Sequence, residues 1–217
     1  QVFTDGQCID KKDAVGGYIC DASKRDQEAL DDCAKQCEKG NKTSCQLLAR
    51  LHRGEDSPQL NYQRSLDLLQ RACPLVNPDA PSCTDLGMIY LNGEQPFSKP
   101  EATQALNVFK RACYPGDELR GDGQGCYQLG MAFLNSVGMR QPDRNKARES
   151  FERSCNLGYA DGCARVGYVN YLDYLEDPLA FDRSYRRAQE ELRAKVETAK
   201  KKLEEERAKA KAEAEAK

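Results

Sequence analysis

The chain has 217 residues, of which 39% are hydrophobic and none is Trp, so one large globular core is not expected. Its 33 basic and 35 acidic residues are mixed along the chain and leave a net charge of -2, which provides no electropositive footprint for nucleic acid and excludes DNA and RNA as expected partners. Eleven cysteines point to an oxidising compartment, because so many unpaired thiols are an oxidation liability in a reducing cytosol.

No apolar run approaches the roughly 20 residues that span a bilayer. The chain begins at Gln1 rather than Met and shows no short hydrophobic targeting core, so a soluble, processed product is expected. Residues 1–22, "QVFTDGQCIDKKDAVGGYICDA", lack helical periodicity and carry Gly16-Gly17; they read as a loop or irregular hairpin forming an N-terminal cap, with Cys8 and Cys20 placed to close it. Ser23 then offers a helix N-cap, with Asp26 three residues on.

From residue 23 to 177 the chain repeats itself. Four segments share one ending: "EALDDCAKQC" to Cys37, "RSLDLLQRAC" to Cys73, "QALNVFKRAC" to Cys113 and "KARESFERSC" to Cys155. After each comes a turn-prone stretch and a second cysteine, at Cys45, Cys83, Cys126 and Cys163. Counted from that second cysteine, offset three is Leu48, Leu86, Leu129 and Val166, offset four is Ala49, Gly87, Gly130 and Gly167, and offset seven is His52, Tyr90, Phe133 and Asn170. Offsets zero, three, four and seven make one face of an α-helix, and the small residue at offset four lets a neighbouring helix approach closely. Successive openings lie 38, 43 and 37 residues apart, the period of a helix-turn-helix solenoid unit. Breakers fall where the turns belong: Gly54 and Pro58, Gly93 with Pro96 and Pro100, Gly138 and Pro142. Each unit is therefore helix A, loop, helix B, with cysteines at the end of B and the start of the next A.

The pattern "C-x-x-L-G-x-x-Y" followed by "A-L-x-x-F-x-x-A-C" resembles the Sel1-like repeat, a relative of the tetratricopeptide repeat, over roughly residues 26–175. The cysteine placement is similar to the cysteine-rich branch found in exported bacterial proteins and in an assembly factor of the mitochondrial intermembrane space. The resemblance implies an all-α fold, a right-handed α-solenoid of about four helix-turn-helix repeats. It also implies one disulfide per repeat, pairing Cys37 with Cys45, Cys73 with Cys83, Cys113 with Cys126 and Cys155 with Cys163, and a function in binding other proteins or peptides. It names no partner.

Residues 178–217 form the last region. Asp177-Pro178 is a helix-start signal, and from Asp182 to Lys217 there is no Gly or Pro. Of those 36 residues 21 are charged, with Glu-to-Lys pairs at i,i+4 such as Glu191 with Lys195 and Glu197 with Lys201, so a long solvated helix is expected. Its stripe of Leu192, Val196, Ala199 and Leu203 soon dissolves into Ala, Lys and Glu, which is short for a coiled coil and leaves self-association as the competing use.

Three chemistries compete with a structural role for the cysteines. Zinc sites favour paired ligands two to four residues apart; here the repeat pairs have 7, 9, 12 and 7 intervening residues and the one histidine is His52, so no metal or other cofactor is expected, with Cys33, Cys37 and Cys45 the nearest approach. A redox dithiol calls for thiols close together at a helix start, whereas four equivalent pairs at the period of the fold look architectural. A closed loop of about ten residues stabilises by roughly 2 to 3 kcal/mol in the chain-entropy model. Eleven is odd, so at least one thiol stays free, bonds to another chain or lacks its partner. Cys33 aligns with the core positions Leu69, Phe109 and Phe151 and reads as a small hydrophobe, a bond to Cys20 or Cys8 being the alternative. Binding or cleavage of β-lactams or peptidoglycan fragments, described for some cysteine-rich relatives, lacks its motif, since none of the ten serines has Lys three residues on, and no base is evident for a nucleophile. No catalytic residue is assigned.

Binding remains. Beside the core face of helix A, offsets one, five and eight form a stripe that lines the concave surface in tetratricopeptide-like stacking. It comprises Gln46, Arg50 and Arg53, then Thr84, Met88 and Leu91, then Tyr127, Met131 and Leu134, then Tyr168 and Tyr171. This stripe grades from basic to apolar and aromatic and suits a peptide or helix ligand. The expected function is a non-catalytic interaction module or assembly adaptor, exported to a periplasm or secreted, with the mitochondrial intermembrane space as the alternative address.

Overall fold

The computed structural model describes residues 2–4, 7–9, 18–54, 57, 59–97, 99–116 and 120–215. The chain divides into two compact units, one up to Val166 and one from Gly167 onward. At the start, β1 (Val2–Thr4) and β2 (Gln7–Ile9) pair antiparallel with Phe3 opposite Cys8. The rest of the first unit is helical: α1 (Gln27–Glu38), α2 (Lys42–Leu51), α3 (Tyr62–Ala72), α4 (Ala80–Asn92), α5 (Ala102–Cys113), α6 (Gly123–Leu134), α7 (Arg144–Asn156) and the first part of α8 (Ala160–Glu176).

Short polar residues start these helices by accepting a backbone N–H in the first turn. Asn41, Asp79 and Asp122 do so for helices A of successive repeats, and Asn61 and Asp143 for two helices B. α1 is capped by Asp26, whose Oδ1 accepts from Ala29 N at 2.9 Å; Ser23 lies outside the helix in a turn, its N–H bonded to Asp21. Gly93 ends α4 in the left-handed region at φ 63°, where a Cβ would stand 2.6 Å from Pro100 N, so only glycine fits.

From α1 to α7 the helices pack in sequence order, A on its own B and B on the next A. Within each repeat the residue capping helix B donates its N–H to the offset-seven carbonyl of helix A: Asn61 to His52 at 2.8 Å, Glu101 to Tyr90 at 2.7 Å, Asp143 to Phe133 at 3.0 Å. Between repeats a second ladder runs through the "R-A-C" and "R-S-C" endings. Arg111 donates to the Cys73 carbonyl and Arg153 to the Cys113 carbonyl, each at 2.9 Å and each one repeat back. A charged donor on a partly buried carbonyl is worth roughly 1.5 to 3 kcal/mol, so the arginines tie neighbouring units as the cysteines do.

Phe109 and Phe151 are the largest fully buried side chains, and each lies over the offset-four glycine of its own helix A. A Cβ at Gly130 would be 2.5 Å from Phe151 Cε1, and one at Gly87 would run into Phe109 in the same way. The close helix approach expected from the small residue is thus made by an aromatic ring, whose full burial contributes up to about 3 kcal/mol.

The disulfides Cys37–Cys45, Cys73–Cys83, Cys113–Cys126 and Cys155–Cys163 bridge the end of one helix B to the start of the next A, with Cα separations of 4.4 to 5.1 Å. A fifth, Cys20–Cys33, overturns the expected Cys8–Cys20 closure and gives Cys33 a partner. The reason lies in the path of residues 18–20. Tyr18 N–H donates to Gln36 Oε1, Cys20 N–H donates to Ser44 Oγ, and Ser44 Oγ–H returns to the Tyr18 carbonyl, so this stretch crosses α1 and α2 and brings Cys20 within 5.0 Å, Cα to Cα, of Cys33. Residues 10–17 of the expected cap, the Cys8 side chain and Pro58 lie outside the described residues.

In the second unit α8 ends at Glu176 and α9 (Pro178–Glu215) starts with Asp177 accepting from Ala180 N at 2.9 Å. Beyond Phe181 the described side chains of α9 are exposed throughout, as its charge pattern anticipates.

Candidate functional site

The stripe on helices A divides by offset. At offset one the side chains join repeats: Gln46 is buried and donates to Asp85 Oδ2 at 2.8 Å, Thr84 is buried and donates to Asp122 Oδ2 at 2.7 Å, and Tyr127 packs between Phe151 and Tyr159, with ring centroids at 5.8 and 5.4 Å. Gln46 and Thr84 reach the next helix A and its capping residue, while Tyr127 packs on its own helix B and on the turn before α8, and together they form the seam of the solenoid.

Offsets five and eight differ between copies. Arg50 is exposed but forks onto Asp85 through Nε at 2.7 Å and Nη2 at 2.9 Å, which holds its guanidinium above its ordinary pKa against the opposing effect of burial. Arg53 pairs with Glu94, donates to the Gln95 carbonyl at 3.1 Å and stands over the Tyr62 ring. The basic end of the stripe is therefore balanced by acids of the following repeat. Met88, Leu91, Met131 and Leu134 are half-buried, and Tyr168 and Tyr171, on the part of α8 in the second unit, are exposed.

A depression of about 290 Å³ opens where the first two helices A meet, and in it Arg50, Arg53 and Met88 converge with Asp85 and Glu94 over a floor of Leu69 and Ile89. A second, of about 350 Å³, lies on α5, α6 and α7, where Lys110, Arg111 and Lys146 surround Tyr114, Glu149 and Phe133. Sequence reasoning missed it because its residues come from two helices B and the inner face of one helix A. Burial and then the charge of Glu149 push the Tyr114 hydroxyl up.

The competing chemistries find little to build on. Cys33, Cys37 and Cys45, named as the nearest approach to a zinc site, are all in disulfides. His52 is buried in its core slot with Nδ1 2.8 Å from the Gln59 carbonyl, so that nitrogen carries the proton.

Against known proteins, the Sel1 repeat family matches residues 44–73, 80–117 and 123–159, three A–B pairs in register with α2–α3, α4–α5 and α6–α7. This is a Sel1-repeat protein. Cytochrome c oxidase assembly factor 7 of Danio rerio is 30% identical to it over 104 residues, 48% of this chain and 44% of that one. The factor of the same name from Xenopus tropicalis is 28% identical over 88 residues, 39% of this chain and 35% of that one. The chain thus spans less than half the length of these curated relatives. Two crystal structures share the fold: c5321, a protective antigen of uropathogenic Escherichia coli strains (TM-score 0.54, 22% identity, 67% of this chain and 29% of that one), and a Sel1 repeat protein from Oxalobacter formigenes (TM-score 0.50, 20% identity, 60% of this chain and 50% of that one). Among the described residues five disulfides fit an oxidising compartment, and no helix is long and apolar enough to cross a membrane.

Proposed function

We propose that this protein is a non-catalytic assembly adaptor that works in an oxidising compartment and holds a segment of another protein along the helix A stripe. The observation that carries the reading is the depression between the first two helices A, where the stripe residues Arg50, Arg53 and Met88 come together. Sel1 repeats serve protein–protein interaction, and the half-buried methionines and leucines of the stripe offer an adaptable apolar surface to a peptide or helix. The fish and frog relatives are named as cytochrome c oxidase assembly factors, and this likeness supports the assembly role and, with it, the intermembrane-space alternative.

The test is crosslinking and capture with the full, oxidised chain. A specific partner retained by the parent protein should be lost from a variant carrying Met88→Ala and Met131→Ala; equal retention by the two would sink the reading.

A further inference from the structure

The helices B of the interior repeats share a short recognition pattern. Phe109 and Phe151 seat on Gly87 and Gly130. Four residues before the seated position stands a fully buried small residue: Ala105, Ala147, and Ser65 before Leu69 in the first repeat. Two residues after each ring is the arginine that reaches back one repeat, Arg111 or Arg153. Small, three residues, Phe, one residue, Arg is the signature of a helix that fits against helix A.

α8 is built as a helix A. Its first turn holds Cys163 of the fourth staple and it carries Gly167 at offset four, yet a Cβ there would meet nothing within 4 Å. Along the same side, at i+4, i+7 and i+8, lie Tyr171, Tyr174 and Leu175, which are 55%, 45% and 57% exposed. This face is apolar and aromatic over more than two turns.

The chain's own continuation does not fit it. "Tyr185-Arg186-Arg187-Ala188" in α9 stands where the other repeats have "Phe109-Lys110-Arg111-Ala112" and "Phe151-Glu152-Arg153-Ser154". Four residues before Tyr185, however, comes Phe181, at the position where Ser65, Ala105 and Ala147 are each 0% exposed. A phenyl ring is too large for that slot in a close-packed helix pair. Phe181 instead packs edge-on against Tyr174 at 5.8 Å and stacks on Tyr185 at 6.2 Å, leaving Tyr185 55% exposed.

We propose that the Gly167 face of α8 is the docking site for an amphipathic helix of another protein, which seats as the helix B of a fourth repeat. Its chemistry is that of α5 and α7: a Phe over Gly167 and a small residue four positions earlier. The inference rests on the adaptor reading and adds to the stripe a second binding face, on the core side of α8, with the kind of segment that face takes.

The probe is a synthetic peptide of residues 101–114 with Cys113→Ala, acetylated and amidated, titrated against the full oxidised chain by fluorescence anisotropy. The peptide should bind, and Phe109→Ala in the peptide or Gly167→Leu in the chain should each weaken binding at least about tenfold, with the melting temperature of the Gly167→Leu protein no lower than the parent's. No binding, or binding indifferent to both changes, overturns the proposal. Binding that appears only once Tyr185→Ala is introduced assigns the face to α9, and self-association abolished by Gly167→Leu assigns it to a second copy; either result overturns a foreign helix. A captured partner lost with Met88→Ala and Met131→Ala but kept with Gly167→Leu leaves the adaptor reading standing and removes this site alone.

Discussion

At Gly130 the backbone of α6 lies beneath the Phe151 ring, while at Gly167, the same offset in α8, an added Cβ would meet nothing within 4 Å. The two helices open alike, each with a cysteine bonded to the helix before it. They differ in the helix that comes next: α7 brings Phe151 with Ala147 behind it, and α9 brings Tyr185 with Phe181 behind it. One residue type thus serves two purposes. In the interior repeats glycine makes room for a ring that is already present; in α8 the same room is left open to a group from outside the chain.

The staples set the scale of that comparison. Replacing Cys113 and Cys126 by Ser should lower stability by about 3 kcal/mol, the loop-closure value for their spacing, read from urea unfolding; both are fully buried, so a cost near zero would mean that packing alone holds the interior joint. Gly130→Ala comes next. Its methyl would overlap Phe151, and a loss of about 1 to 3 kcal/mol is expected.

Gly167→Ala should go the other way. In mid-helix with open space around it, alanine is favoured by about 0.5 to 1 kcal/mol, read as a raised melting temperature. If Gly167→Ala destabilised as Gly130→Ala does, the contrast between the two glycines would be broken. A pH-dependent effect lies at the opposite end of the chain. Burial and the 2.5 Å hydrogen bond to Asp32 push the Tyr18 hydroxyl up to about 12. The folded state then keeps a proton that the unfolded state releases above its ordinary value near 10, so stability is intact below pH 10 and falls as pH rises from about 10 through 12. Tyr18→Phe should flatten that alkaline limb in pH-dependent melts.

Much of this was legible in one sequence because repetition acts as an internal control. The period, the A–B order and the four staples all repeat, and Gly87, Gly130, Phe109 and Phe151 stand in aligned columns, which predicts a close helix approach but not that the ring makes it. The arginine ladder was equally visible in "RAC", "RAC" and "RSC", but spacing within a helix does not say that its guanidinium will reach a carbonyl one repeat away. The balancing of Arg50 and Arg53 was not legible at all, since Asp85 and Glu94 lie 35 and 41 residues further along and meet them only when the helices A stack. Cys20–Cys33 stood only as the alternative to a small hydrophobe because Cys33 occupies a core column, and the crossing of residues 18–20 over α1 and α2 is what gives this column its covalent partner.

What the sequence by itself determined is local and periodic: which faces of the helices are apolar, where each helix starts and stops, and which cysteines flank each joint. These follow from side-chain chemistry at fixed spacing along a helix. The tertiary structure decided which side chains are consumed in joining repeats and which stay available, because that depends on the distance between helices far apart in the chain. It turned offset one into a seam, neutralised the basic end of the stripe, and left the room at Gly167 open.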